Sequence, residues 1–190
     1  MEGLGFFQLA FAALVVMLAF AVRGTTGFGG GAIGVPLLAL VLPIHIVIPV
    51  ITVLTIFSSL GHWLKDWRRI VWKEIAAIGL STLAGVVGTL FGGAAGPLYV
   101  IYLNALRLEK DAFRVTVTTM LLTLATLRVI GYSGLGFYNP APLTVLAAAL
   151  PMMLIGARIG NHVAGRINQR AFNRVVGLVL MVSGAALILK

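Results

Sequence analysis

The sequence has no cysteine and very little negative charge. Its 190 residues include no Cys and only five acidic residues, against 14 Lys and Arg. The absence of Cys excludes disulfides, thiolate metal sites and cysteine nucleophiles. All five acids lie at the ends of apolar runs or between them: Glu2, Asp66, Glu74, Glu109 and Asp111. This placement argues against a carboxylate inside the membrane as a proton or cation carrier, and it suits an anionic substrate because nothing repels negative charge.

Charged residues of either sign are few, and apolar residues make up most of the chain. The chain is 60% hydrophobic and only 10% charged, with a mean hydropathy of +1.07, whereas soluble domains carry about 25% charged residues. We therefore predict one all-α integral membrane domain over residues 1–190. The first apolar run, 6–22, lacks the basic start and the cleavage site of a signal peptide, so we predict that it is retained as a span.

The apolar residues form eight runs of unequal length. They cover 5–22, 28–42, 44–61, 74–91, 93–106, 113–132, 142–158 and 173–189. A full helical span needs about 20 apolar residues, so the second and fifth runs are short, and each begins at a glycine cluster. The pattern predicts a bundle of about eight transmembrane segments, two of them short and glycine-broken.

The basic residues predict the orientation of these runs. If both short runs cross the membrane, twelve of the 14 basic residues fall on one side: Arg23, Lys65, Arg68, Arg69, Lys73, Arg107, Lys110, Arg114, Arg158, Arg166, Arg170 and Arg174. Arg128, within a span, and the terminal Lys190 are the exceptions. The positive-inside rule makes this side the cytoplasm. We thus predict a multi-pass protein of the bacterial inner membrane with both termini outside.

The chain contains two glycine-rich stretches. Residues 24–36 read GTTGFGGGAIGVP, and a weaker copy, FGGAAGP, occupies 91–97. Glycine lets the backbone leave the helical conformation, and proline removes a hydrogen-bond donor. Interrupted apolar segments in both halves of a chain indicate a transporter binding site; the alternative is close helix packing through small residues.

The two stretches also indicate an internal repeat. FGGGAIGVPLL at 28–38 is similar to FGGAAGPLYVI at 91–101, and each leads through a short run into a longer span. In the predicted topology the first stretch runs outwards and the second inwards. We therefore predict two inverted repeat halves, 1–90 and 91–190, as in many secondary transporters.

Several motifs resemble those of the sulfite exporter TauE/SafE family. RGTTGFGGG at 23–31 with VPLL at 35–38 resembles its first-half signature, and GPLYVIY at 96–102 with FRVT at 113–116 resembles its second-half signature. GARIG at 156–160 and FNR at 172–174 are similar to its C-terminal region. The resemblance implies membrane transport of small anions such as sulfite, sulfonates or related organic anions, coupled to a gradient of protons or sodium.

One feature departs from the family, whose members are longer and have five segments per half. Here 74–91 runs directly into the second glycine motif, so we interpret it as a hybrid of two spans, with about two central segments lacking. The shortening leaves two alternatives open: a passive anion channel, or a non-transporting subunit or scaffold left by an internal deletion. It also raises the expectation of a homo-oligomer.

Candidate anion ligands combine helix N-termini, hydroxyl groups and arginines. Half-helix N-termini present unpaired N–H groups and partial positive charge to an oxyanion. The predicted substrate-binding residues are Arg23, Thr26, Gly29, Gly30, Gly31, Thr52, Gly92, Gly93, Gly96, Pro97, Arg114, Thr116 and Arg128. Snorkelling at the interface is an equal alternative for Arg23 and Arg114, and a Thr hydroxyl commonly bonds within its own helix. For Arg128, the deepest arginine, function is favoured.

The histidines and serines give no sign of catalysis. His45, His62 and His162 lie near run ends without metal-ligand spacing, so we interpret them as interfacial. Serines lack a nucleophile-elbow context. The basic residues occupy short connectors, which indicates topology rather than nucleic-acid binding. The sequence thus predicts a membrane transporter and not an enzyme, with no cofactor or metal.

Overall fold

The computed structural model describes residues 6–76, 95–138 and 140–188, and the regular structure in these ranges is helical. The helices are α1 (Phe6–Thr26), α2 (Gly30–Leu38), α3 (Ile44–Asp66), a 3₁₀ turn (Trp67–Arg69), α4 (Ala95–Ala105), α5 (Lys110–Gly134), α6 (Pro140–Arg166) and α7 (Gln169–Ile188). The predicted all-α class is confirmed. Among the described residues, four helices are long and apolar enough to span a membrane: α1, α3, α5 and α6. Most of the predicted hybrid segment, and Gly92 and Gly93, lie outside the described residues.

The break after α1 is shorter than the glycine-rich stretch suggests. Helix α1 continues to Thr26, and only residues 27–29 leave the helical conformation. Gly27 and Gly29 have φ angles of 86° and 96°, in the left-handed region that glycine alone adopts readily. Pro36 lies inside α2 instead of closing the stretch. A proline in so short a helix removes only one backbone hydrogen bond.

The short apolar run predicted at 28–42 consists of a brief helix followed by a turn. Helix α2 has nine residues, which corresponds to about 13 Å, and the chain then turns through 39–42 before Pro43 caps α3. Hydropathy alone does not distinguish a helix from an apolar turn, so the run appears longer than its helix.

Two other helices extend beyond their predicted ends. Helix α6 reaches Arg166 and α3 reaches Asp66, although the apolar runs stop at 158 and 61. The segment 159–172, predicted as a connector, is therefore mostly helical, with only 167 and 168 between α6 and α7. The physical reason is that apolarity marks the edge of the hydrocarbon layer, whereas a helix ends where its backbone hydrogen bonds end.

Helix α2 runs back along α1. A Cβ on Gly30 would lie 3.0 Å from Cδ of Arg23, near the end of α1, and one on Gly34 would lie 3.5 Å from Cβ of Ala19. Leu38, at the end of α2, packs in the cluster that holds Val16. This return lets α3 run in the same direction as α1, and the C-terminal parts of the two helices are joined by the hydrogen bond from Arg23 to Ser59.

The basic connectors meet at one end of the bundle. The Lys110 Nζ atom donates to the carbonyl oxygens of Ala164 and Ile167, at 3.1 and 2.9 Å, and Arg69 pairs with Asp111. We call this end, which also holds Arg23, the basic end. Helix α4 runs towards it and α2 runs away from it.

The closest helix contact joins α1 to α6 through glycines. A Cβ on Gly160 would lie 2.0 Å from the carbonyl oxygen of Ala21, and one on Gly156 would lie 2.2 Å from that of Met17. Small residues that let backbones approach are typical of membrane helix pairs. The GARIG motif therefore holds α6 against α1, with Asn161 directly beyond it at the basic end.

Candidate functional site

Two buried arginines lie at the basic end. Arg23 is 2% exposed and Arg114 is 9% exposed. The Arg23 Nη2 atom donates to Ser59 Oγ at 2.6 Å, and Ser59 Oγ donates to the Thr55 carbonyl at 2.7 Å. The alternative of snorkelling to the interface is not what the structure shows, because both side chains point into the bundle instead of away from it.

Arg114 connects four helices through a single nitrogen. Its Nη2 atom donates to the Gly24 carbonyl oxygen at 2.6 Å and to Asn161 Oδ1 at 2.7 Å, and it lies 3.0 Å from His62 Nε2. These partners belong to α1, α6 and α3, while Arg114 itself is the fifth residue of α5. The contact with Gly24 places a cation at the C-terminal end of α1, where the helix dipole favours it.

His62 is part of this cluster, a role that its interpretation as an interfacial residue did not include. It is 6% exposed; its Nδ1 atom lies 3.1 Å from the Ser58 carbonyl, and its Nε2 atom lies 2.7 Å from Asn161 Oδ1. Because α3 continues to Asp66, His62 faces the neighbouring helices. A signal was present in the sequence: Ser58, Ser59 and His62 are spaced as one polar stripe on an apolar helix.

The cluster carries more positive than negative charge. The nearest acid to Arg114 is Asp111, with Oδ1 at 4.0 Å from Nη1, and Asp111 also pairs with Arg69. Arg114 Nε and Ser58 Oγ are buried without a hydrogen-bond partner. A buried cation or donor without a partner is unfavourable, so the arrangement favours an anion that accepts these hydrogen bonds.

The N-terminus of α2 lies beside the same cluster. Gly30, its first residue, is next to the Arg23 side chain, and the first N–H groups of a helix have no partner within it. Thr26 supports the preceding break, with its Oγ1 atom 2.9 Å from the carbonyl oxygens of Val22 and Phe28. The structure thus brings together Arg23, Thr26 and the first glycine cluster, Gly29–Gly31.

The predicted ligands Thr52 and Thr116 use their hydroxyl groups in different hydrogen bonds. Thr52 donates to the Ile48 carbonyl of its own helix at 2.7 Å, which is the simpler alternative for a membrane threonine. The Thr116 Oγ1 atom accepts from the Val71 backbone N–H at 3.2 Å and is buried. Thr116 therefore holds the segment after α3 against α5, about half a helical turn beyond Arg114.

The structure does not bring Arg128 to this cluster. Arg128 follows Arg114 on α5 by 14 residues, which corresponds to about 21 Å along the helix axis. It is half-buried, and its Nε atom has no hydrogen-bond partner. Gly96 and Pro97 lie in the first turn of α4. The predicted set is thus not one compact site, and roles for Arg128 and the second glycine motif remain predictions.

The comparisons with known proteins identify the family. The family model described as Sulfite exporter TauE/SafE matches residues 12–88 and 74–187. No curated protein and no solved structure gives a significant match to the chain. The matched segments include both glycine motifs and nearly all of the described helices. This multi-pass helical chain, with its arginine cluster at the first glycine break, belongs to the sulfite exporter TauE/SafE family.

Proposed function

We propose that this chain is a secondary transporter of small anions, such as sulfite, sulfonates or related organic anions, in the bacterial inner membrane. The observation that carries the proposal is the buried cluster of Arg23 and Arg114 at the first glycine break. It combines guanidinium groups, unpartnered donors and a helix N-terminus, and the carboxylate that pairs with Arg114, that of Asp111, is shared with Arg69.

The chemistry of this cluster suits an oxyanion. Sulfite and sulfonate groups carry several acceptor oxygens, and guanidinium groups offer planar, charged donors that match them. Inside the bundle these hydrogen bonds are stronger than in water because the surroundings are less polarisable. We assign binding to Arg23, Arg114 and the N-terminus of α2, and we retain Gly92 and Gly93 of the second glycine motif as further predicted ligands.

Two further observations support an inverted repeat. Helices α2 and α4 run in opposite directions relative to the basic end, as inverted halves require. The two segments that match the family model overlap at 74–88, which is the result expected of one segment that stands for two ancestral spans. Accordingly, the repeat halves are 1–90 and 91–190, and the basic end faces the cytoplasm.

The test is anion flux into liposomes that contain the purified protein. Uphill entry of sulfite or methanesulfonate, driven by a proton or sodium gradient, is the expected result. Flux that only follows the gradient of the anion itself would identify a passive channel, and absence of flux for every anion would favour a non-transporting subunit. Arg114→Gln should lower flux at least tenfold, whereas Arg166→Gln, an exposed basic residue at the same end, should not change it.

A further inference from the structure

We propose that His62 is the proton-binding residue of this site, and that its protonation is linked to anion binding by Arg114 and Arg23. The anion then binds together with a proton. The proposal rests on the proposed function, because it assigns the coupling ion and its ligand to the same cluster.

The contacts of His62 provide two hydrogen-bonding states. The Ser58 carbonyl can only accept, so Nδ1 carries a proton in both states. When Nε2 is unprotonated, it accepts from Arg114 Nη2 at 3.0 Å. When Nε2 is protonated, it donates to Asn161 Oδ1 at 2.7 Å. The ring itself does not need to move between these states, because the Asn161 amide can turn to present Oδ1 to the protonated Nε2 and Nδ2 to the unprotonated Nε2.

The surrounding charges link this proton to an anion. Arg23 faces His62 from α1 and Arg114 from α5, each with an electrostatic effect on the ring. Helix α6 contributes the neutral Asn161, and the nearby acids, Asp111 and Asp66, act on Arg114. A protonated His62 adds a third positive charge to the cluster. A bound anion offsets this repulsion, so each ligand favours the binding of the other by the same factor.

The rest of the chain offers no comparable coupling group among the described residues. Its carboxylates lie at helix ends and in connectors. His45 and His162 are exposed, whereas His62 is buried against both arginines. His45 lies near the start of the same helix, α3, and provides a matched control.

The experiment measures binding of methanesulfonate to the purified protein by calorimetry across pH 5 to 8, the range in which histidine titrates. Methanesulfonate is a strong-acid anion, so its own charge does not change. For the wild type and His45→Gln, the affinity should fall by about tenfold per pH unit once His62 loses its proton, as expected for one linked proton. For His62→Gln, the affinity should be independent of pH.

A second variant keeps the test decisive if His62→Gln fails to fold. Asn161→Leu removes an acceptor of Arg114 at every pH and the acceptor of the protonated ring at low pH, so binding should weaken at all pH values and by a further several-fold at low pH. A pH dependence that persists in His62→Gln, or an equal loss at all pH values in Asn161→Leu, would overturn the proposal. So would a wild-type protein that binds no methanesulfonate at any pH.

The flux and binding experiments distinguish a failure of the proposed function from a failure of this inference. If liposomes show no flux but methanesulfonate binding follows His62 protonation, transport is disproved and the proton link stands. If gradient-driven flux occurs but His62→Gln retains the proton dependence of the wild type, the transporter stands and His62 is not its coupling residue.

Discussion

At the scale of single residues, Arg114 has two roles, and different nitrogen atoms of its side chain perform them. Its Nη2 atom holds α1 and α6 through Gly24 and Asn161, while its Nε atom is buried without a partner. The same side chain therefore stabilises the helix junction and retains a donor for a ligand. Lysine would keep the charge but could not reproduce these directions.

Arg114→Lys should therefore weaken both stability and binding. Loss of a hydrogen bond from a charged donor lowers the free energy of unfolding by about 1.5–3 kcal/mol, and methanesulfonate affinity should fall at least tenfold. Thermal unfolding in detergent and calorimetry measure the two effects. Unchanged affinity in a destabilised variant would assign Arg114 to packing alone.

Arg128 tests whether the far end of α5 takes part in transport. Arg128→Gln should lower anion flux severalfold and leave equilibrium binding at the basic end unchanged, because the two sites are about 21 Å apart. Liposome flux and calorimetry on the same preparation distinguish the effects. Lys65→Gln, a charge removal in the last turn of α3, is the control; an equal loss of flux in both variants would give Arg128 no special role.

At the scale of helices, the glycines separate into two groups. Gly27 and Gly29 allow the turn between α1 and α2 by their positive φ angles. Gly156 and Gly160 allow two backbones to touch. Within the stretch 24–36 both interpretations therefore apply, because Gly27 and Gly29 break the helix, whereas a Cβ on Gly24 would lie 2.7 Å from the Ala157 carbonyl oxygen of α6.

Gly30→Val tests the start of α2. The added Cβ would lie 3.0 Å from Arg23 Cδ, so valine should displace Arg23 from Ser59 and abolish flux while membrane insertion is retained. Gly61→Val, on a helix surface with no neighbour within 4 Å, is the matched control. We expect the same loss for Gly93→Val, the corresponding position in the second motif. Normal flux in Gly30→Val would eliminate the half-helix site.

Gly160→Val tests the junction of α1 and α6. A Cβ 2.0 Å from the Ala21 carbonyl cannot be accommodated without separating the helices, and overpacking of this kind destabilises proteins by about 1–3 kcal/mol. The unfolding temperature in detergent should drop clearly. Gly165→Val, on the same helix in open space, should leave the unfolding temperature unchanged. An equal drop in both variants would show that valine destabilises α6 at any position, and not that the junction with α1 is tight.

At the scale of the whole molecule, the basic end defines an orientation that can be measured. The chain has no cysteine, so single cysteines can be introduced without background. Leu106→Cys lies in the turn before Arg107 at the basic end, and Leu135→Cys lies at the opposite end of α5. An impermeant thiol reagent added to intact cells should label Cys at 135 and not at 106. The reverse pattern would contradict a cytoplasmic basic end.

The sequence predicted the all-α class, the family and the two cationic candidates Arg23 and Arg114, because hydropathy and short motifs are local signals. It did not predict the length of α2 or the ends of α3 and α6. Hydropathy does not distinguish an apolar turn from an apolar helix, and it does not reveal that a polar segment continues a helix. It also did not predict the role of His62, whose importance depends on which neighbours its helix face meets.

What the sequence determined by itself was that this chain enters a membrane, because an apolar composition has no stable alternative in water. What only the tertiary structure decided was which polar groups meet. Residues 62, 114 and 161 lie far apart in the chain, and they come together because α3, α5 and α6 pack around the end of α1. Their joint charge and unpartnered donors, and hence their chemistry, exist only in that packed arrangement.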